Sequence, residues 1–198
     1  MEASGSNLPL QLSETFKESI LIKQRVLEKN IPVLENISRL LMKALKQGNK
    51  VFLFGNGGSA ADSQHIAAEL VSRFKRERRA LPAIALTTDT SILTAIGNDY
   101  SFDNVFARQI EALGQSGDVA FAISTSGNSS NVLKAVQMAK QMAIATVGFT
   151  GESGGELKNH VDLCFQVPSS STPRIQEAHI TAAHAICDIL EQELCNQR

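Results

Sequence analysis

His65 and Glu69 stand four residues apart in Ser59–Phe74, a stretch whose apolar pattern predicts a helix, so both side chains leave one face. An imidazole and a carboxylate at this spacing can share a divalent metal, can act as an acid–base pair beside a substrate, or can simply hydrogen-bond at the surface. Their location adds information. The helix opens from the turn Gly55-Asn56-Gly57-Gly58-Ser59-Ala60, and both residues lie within about two and a half turns of it. In that turn Asn56 and Ser59 offer groups for the hydroxyls of a polar ligand, while Gly57 and Gly58 give a ligand access to the backbone.

A second stretch with chemistry to offer is Ser124-Thr125-Ser126-Gly127-Asn128-Ser129. It follows the apolar run Val119–Ile123 and precedes a helix-like run from Val132 to Met142. The first turn of a helix leaves backbone N–H groups unpaired, and the helix dipole places partial positive charge there. One hydroxyl suffices as an N-cap, and four in six residues exceed that need, which directs the reading to a bound phosphate. The turn holds no Lys and no Gly-Lys-Ser/Thr follows, so a triphosphate P-loop is excluded and a monophosphate ester is the expected ligand.

The last predicted helix, Pro173 to Leu194, carries Gln176, Glu177, His179 and His184. Gln176 shares a face with His179, and Glu177 is nearly aligned with His184. The two histidines point apart, so at most one serves a given site, and spacing does not say which. His160, at the edge of a predicted strand, reads as an ordinary residue. Gly97-Asn98-Asp99-Tyr100 reads as a turn, and composition assigns no role to Asn98 or Asp99. The run Arg73, Lys75, Arg76, Arg78, Arg79 is broken by Glu77 and has only Phe74 as an aromatic, so it reads as a solvated helix end and not as a nucleic-acid patch.

The elements that must position these residues follow a simple order. Leu8 to Gln47 reads as two helices broken at Asn30-Ile31-Pro32, with more apolar positions than are needed to cover a sheet. A helical arm over residues 8–47 that packs on another subunit is the expected explanation. Five short strands then alternate with helices: Val51–Phe54, Ala83–Leu86, Val119–Ile123, Ile144–Phe149 and Val161–Val167. Shorter helices are expected from Thr90 to Gly97 and from Asp103 to Leu113, the latter capped by Asp103. This alternation predicts a parallel sheet covered on both faces, with ligands beyond the carboxyl ends of the strands. The turns after strands one and three are therefore the places to look.

The 198 residues are 43% hydrophobic with a formal net charge of −1, which excludes a global attraction to nucleic acid or acidic lipid. No apolar stretch approaches membrane-spanning length. Residues 1–7 read as a disordered leader and 8–198 as a single domain. Cys164, Cys187 and Cys195 form no C-x-x-C and read as buried free thiols of a reducing compartment. The first turn also satisfies the dinucleotide pattern G-x-G-x-x-A, but the acidic residue of strand two, Asp89, comes about ten positions late for a ribose, and the hydroxyl-rich loop is left unexplained.

In combination these motifs resemble the phosphoheptose isomerases of the sugar-isomerase (SIS) domain superfamily. The resemblance rests on Gly55–Ser59, His65-x-x-x-Glu69, Gly97-Asn98-Asp99, Ser124–Ser129, and Arg174-Ile175-Gln176-Glu177 followed by His184. It implies a three-layer α/β/α, flavodoxin-like fold with a five-stranded parallel sheet, and a cytoplasmic homotetramer with active sites at subunit interfaces. It further implies one zinc ion per subunit and an open-chain sugar phosphate as substrate. The family's metal ligands match His65, Glu69, Gln176 and His184, its catalytic base matches Glu69, and its acid–base partner matches His184. Contacts to sugar and phosphate match Asn56, Gly57, Gly58, Ser59, Glu69, Asn98, Asp99, Ser124, Thr125, Ser126, Ser129 and Gln176. Pro173 departs from an Asp that some members carry, and that residue's role does not transfer. The chain also resembles the non-catalytic DnaA-initiator-associating proteins, from which the intact quartet of His65, Glu69, Gln176 and His184 separates it.

Overall fold

A computed structural model of the chain describes residues 7–195. The predicted leader lies outside the described residues except for Asn7, whose side chain caps the first helix by accepting from the N–H of Leu10. Helices α1 (Leu8–Lys29) and α2 (Ile31–Lys46) meet at Asn30 and each begins with a proline in its first turn, where the missing N–H costs nothing.

The sheet comprises β1 (Val51–Gly55), β2 (Ala83–Ala85), β3 (Val119–Ile123), β4 (Ala145–Thr150) and β5 (Leu163–Gln166), all parallel, in the order β2-β1-β3-β4-β5. Strands β1 and β3 are buried along their whole length, which is why they read as continuous apolar runs and not as an alternation. Alternate residues feed two cores. Val51, Leu53, Phe121 and Phe149 pack with α2, α3 (Gly58–Val71) and α8 (Thr172–Cys195). Phe52, Phe54, Ala120 and Ala122 pack with α5 (Ala107–Leu113) and α6 (Ser130–Gln141) on the opposite face. Helices α3 and α8 thus lie side by side on one face, and that adjacency assembles the site.

Several boundaries differ from expectation. The helix expected from Asp103 is interrupted: Phe102–Asn104 forms a 3-10 turn, and α5 starts only at Ala107. Asp103 does not cap a helix of its own; its carboxylate accepts from the hydroxyl of Ser130 on α6 and pairs with Lys134. Gly97, Asn98 and Asp99 complete the last turn of α4 (Thr90–Asp99), which Asp89 caps, and so are not a turn by themselves. A short helix, α7 (Leu157–His160), precedes β5 and contains His160. The basic run is not a helix end, because α3 stops at Val71 and residues 72–82 cross to β2 as a loop. Arg78 within it is mostly buried. Of the three free cysteines only Cys187 is fully buried, and burial, reinforced by the charge of Glu69, pushes its thiol up to about 12. No helix among the described residues is long and apolar enough to cross a membrane.

Candidate active site

Strands β1 and β3 are neighbours whose connections leave in opposite directions across the sheet, so a crevice opens at their carboxyl ends. Both turns flagged by the sequence lie there. Gly57 adopts φ +56 as the N-cap of α3, a conformation that glycine tolerates, and supplies no capping side chain. Gly127 adopts φ +68 in the turn before α6. Ser129 occupies the N-cap of α6 without a side-chain cap bond, so the first-turn N–H groups stay available to an anion.

The hydroxyl-rich loop divides into support and contact. Ser124 is buried; its Oγ accepts from the N–H of Gly127 at 3.2 Å and lies 3.1 Å from Ser129 Oγ. Thr125 and Ser126 face a cleft of about 300 Å3 that Asn128, Ser153, Ser169 and Ser170 also line. Its hydroxyls and the Asn128 amide can donate to a phosphate, while the carboxylate of Glu152, which also lines it, opposes an anion. The loop from Gly151 to Leu157 backs it: Asn128 Oδ1 accepts from the N–H of Glu156 at 2.9 Å, and the Gly127 carbonyl accepts from the N–H of Leu157 at 2.9 Å.

Asn56 reaches across the crevice to Asn131 in the first turn of α6. The two amides exchange hydrogen bonds, each 2.9 Å, and so lock the two turns together. Each amide keeps one N–H and one acceptor site for a ligand. Asn131 was not among the expected residues; its only sequence signal was an Asn two positions beyond the loop. Ser59 is buried, with its Cβ close against Gly55. Gln176 lies directly over Gly58, where a Cβ would come within 2.3 Å of its Nε2. Asn98 and Asp99 are exposed on α4, with Asn98 Nδ2 donating to Asp99 Oδ1 at 2.8 Å.

The chemically richest group is the trio His65, Glu69 and His184. His65 Nε2 lies 3.1 Å from Glu69 Oε1, and His184 Nε2 lies 3.0 Å from His65 Nε2. The adjacency of α3 and α8 selects His184 over His179, a choice that spacing left open. His179 is instead buried against Phe149 and Phe165 with Nε2 on the Thr150 carbonyl, and burial holds its pKa down at about 4. His184 is flanked by Phe74, whose ring stacks on it at 5.3 Å and 27°.

Two Nε2 atoms 3.0 Å apart must either share one proton or face a common cation. Donor atoms of the trio all lie within 4.8 Å of one another, and ligands around a tetrahedral zinc are separated by about 3.3 Å. Two imidazoles with a carboxylate form a common catalytic zinc donor set, so the residues fit such an ion. Asp62, one turn before His65, has an Oδ2 with no partner; burial raises its pKa, and His65 pulls it back down. Gln176, on α8, makes no hydrogen bond to the trio, and its amide lies over the glycine turn that starts α3.

The SIS domain family model matches residues 15–151, which span β1 to β4, both polar turns and the His65–Glu69 pair, and so gives the class of this doubly wound domain. The chain belongs to the phosphoheptose isomerase family within it. It is 57% identical over 194 residues to a phosphoheptose isomerase of Roseiflexus sp. (strain RS-1), covering 98% of each chain. It is 54% identical to one of Clostridium acetobutylicum over 92% of this chain and 94% of that one. The solved structure of a phosphoheptose isomerase from Neisseria gonorrhoeae superimposes with a TM-score of 0.90 at 43% identity, covering 94% of this chain and 100% of that one.

Proposed function

We propose that this chain converts D-sedoheptulose 7-phosphate to D-glycero-D-manno-heptose 7-phosphate, a ketose–aldose exchange between C2 and C1 that opens nucleotide-activated heptose synthesis for lipopolysaccharide and other surface glycans. The observation that carries the reading is the convergence of Glu69 and His184 from separate helices on one point. The cleft beside Thr125 and Ser126 takes the phosphate. Along α8, Gln176 and His184 are about 12 Å apart, so an extended sugar phosphate anchored near the start of the helix brings its far end to His184.

Glu69 accepts the C1 proton of the open-chain ketose, leaving a cis-enediolate with its negative charge on O2. His184 moves a proton between the two oxygens, taking it from O1 and delivering it to O2, and a proton returned to C2 completes the aldose. Asn56, Gly57, Gly58, Asn98, Asp99, Ser124, Thr125, Ser126, Ser129 and Gln176 hold the sugar and phosphate. When bound by His65, Glu69, Gln176 and His184, one zinc ion per subunit supplies Lewis acidity to the substrate oxygens. A carboxylate that also ligates a metal is a weaker base, so the two duties of Glu69 compete.

The chain is read as one domain whose helical arm, residues 8–47, joins four copies into a cytoplasmic homotetramer with active sites at the interfaces. Supporting this is the surface of α1, where only Ile22 is buried among 22 residues while Leu12, Phe16 and Ile20 are exposed at four-residue spacing. Detection of the aldose product from sedoheptulose 7-phosphate with purified protein tests the activity. Turnover that a chelator abolishes and zinc restores is expected, and no product under any metal condition contradicts the reading.

A further inference from the structure

Residues 72–82 form neither helix nor strand, yet two oppositely charged side chains beneath them are withdrawn from water: Arg78 is 4% exposed and Glu191 is 1% exposed. Glu191 belongs to α8, seven residues beyond His184 and therefore near the same helical face. Its Oε1 accepts from the N–H of Phe74 at 2.6 Å, and its Oε2 accepts from the N–H groups of Lys75 and Arg76 at 2.7 and 2.9 Å. Burial raises the pKa of Glu191, but the three backbone bonds outweigh it and hold the carboxyl below its ordinary range.

Arg78 Nε stands 3.2 Å from Glu191 Oε1, and the rest of the guanidinium turns toward the end of α3. Nη2 donates to the Glu69 carbonyl at 2.7 Å, while Nη1 donates to the carbonyls of Leu70, Ser72 and Arg79 at 2.9, 3.3 and 3.0 Å. The carbonyls of Glu69 and Leu70 are among those a helix C-terminus leaves without intrahelical partners. An isolated C-cap glycine would serve that end more simply than a buried ion pair, whose desolvation is expensive. The arrangement is explained by what it joins. Glu69 is gripped through its own carbonyl, and Phe74, gripped through its N–H, lays its ring on His184.

We infer that Arg78 and Glu191 are positioning residues that set Glu69 and His184 against each other, fixing one at the end of α3 and the other through Phe74. The inference rests on the roles proposed above for Glu69 and His184.

The test uses Arg78→Lys, which keeps the charge but loses the fork, and Glu191→Gln, which keeps the shape but offers one acceptor oxygen in place of two. Both are compared with wild type and with Glu69→Gln for kcat and KM on sedoheptulose 7-phosphate, and for affinity when zinc chloride is titrated into metal-free protein. Both variants are expected to lose about 10–100-fold in kcat with KM within about twofold, and to bind zinc about tenfold more weakly while assembling like wild type. Wild-type kcat and zinc affinity with only a lowered unfolding temperature would show that the pair merely closes a loop. Failure of both variants to fold would show that it holds the fold itself and would equally overturn the inference. Should Glu69→Gln retain turnover, the fault lies in the site assignment beneath, and the inference falls with it.

Discussion

At the scale of single residues, burial separates the two histidines of α8 into different jobs. His184 stands at the surface of the crevice with polar company, whereas His179 sits in the core with its Nδ1 unpartnered. The sign of the pH effect follows from the depressed value. The folded state holds His179 neutral down to about pH 4, while the unfolded chain protonates near 6.5, so between those values the unfolded state binds more protons. Stability is full above about pH 6.5 and falls as the pH drops toward 4, by on the order of 3 kcal/mol in total. Denaturation midpoints at pH 7.5 and 4.5 should show this loss, and His179→Gln should remove most of that pH dependence. Gly58 is the second residue-scale case, because any Cβ there meets the amide of Gln176. Gly58→Ala should raise KM for the sugar phosphate at least about tenfold by displacing Gln176, with little change in the denaturation midpoint.

At the scale of elements, the phosphate-ready loop and the Gly151–Leu157 loop act as one unit. A Cβ on Gly127 would stand 2.1 Å from the Gly154 carbonyl, and one on Gly155 would stand 2.4 Å from the Ser126 carbonyl. Gly127→Ala, strained also by its positive φ, should weaken inorganic phosphate binding by about tenfold or more while leaving zinc affinity intact; calorimetric titration of both ligands checks this. The loop was legible in the sequence because its hydroxyls exceeded what a cap requires. Its backing was not, since Gly154-Gly155 reads as a generic turn and the contact spans nearly thirty residues of chain. The same limit applies to the 72–82 segment. A run of five basic residues reads as solvated unless the partner carboxylate is known, and Glu191 lies more than a hundred positions away. The five strands were legible because buried parallel strands leave continuous apolar runs, whereas their order in the sheet was not. The break at Asp103 escaped because a tertiary contact with Ser130 overrode local capping.

At the scale of the whole molecule, the proposed reaction requires α3 and α8 to share one face of the sheet, as they do, while α6 and the hydroxyl-rich loop before it lie on the other. Neither helix is equipped alone: α3 contributes His65 and Glu69, and α8 contributes Gln176 and His184. Assembly belongs to this scale too. The exposed apolar stripe of α1 calls for cover, and light scattering is expected to give four times the chain mass, reduced in the double variant Phe16→Glu/Ile20→Glu. The central claim is that Glu69 takes the C1 proton while His184 serves the oxygens. It is tested most directly by following sedoheptulose 7-phosphate in D2O by NMR, with wild type, Glu69→Gln and His184→Gln. Wild type should place deuterium on C2 of the aldose and exchange it at C1 of the remaining ketose. Glu69→Gln, folded and assembled, should show neither, and His184→Gln should lose aldose formation. Deuterium entering C1 at near the wild-type rate in Glu69→Gln would contradict the account.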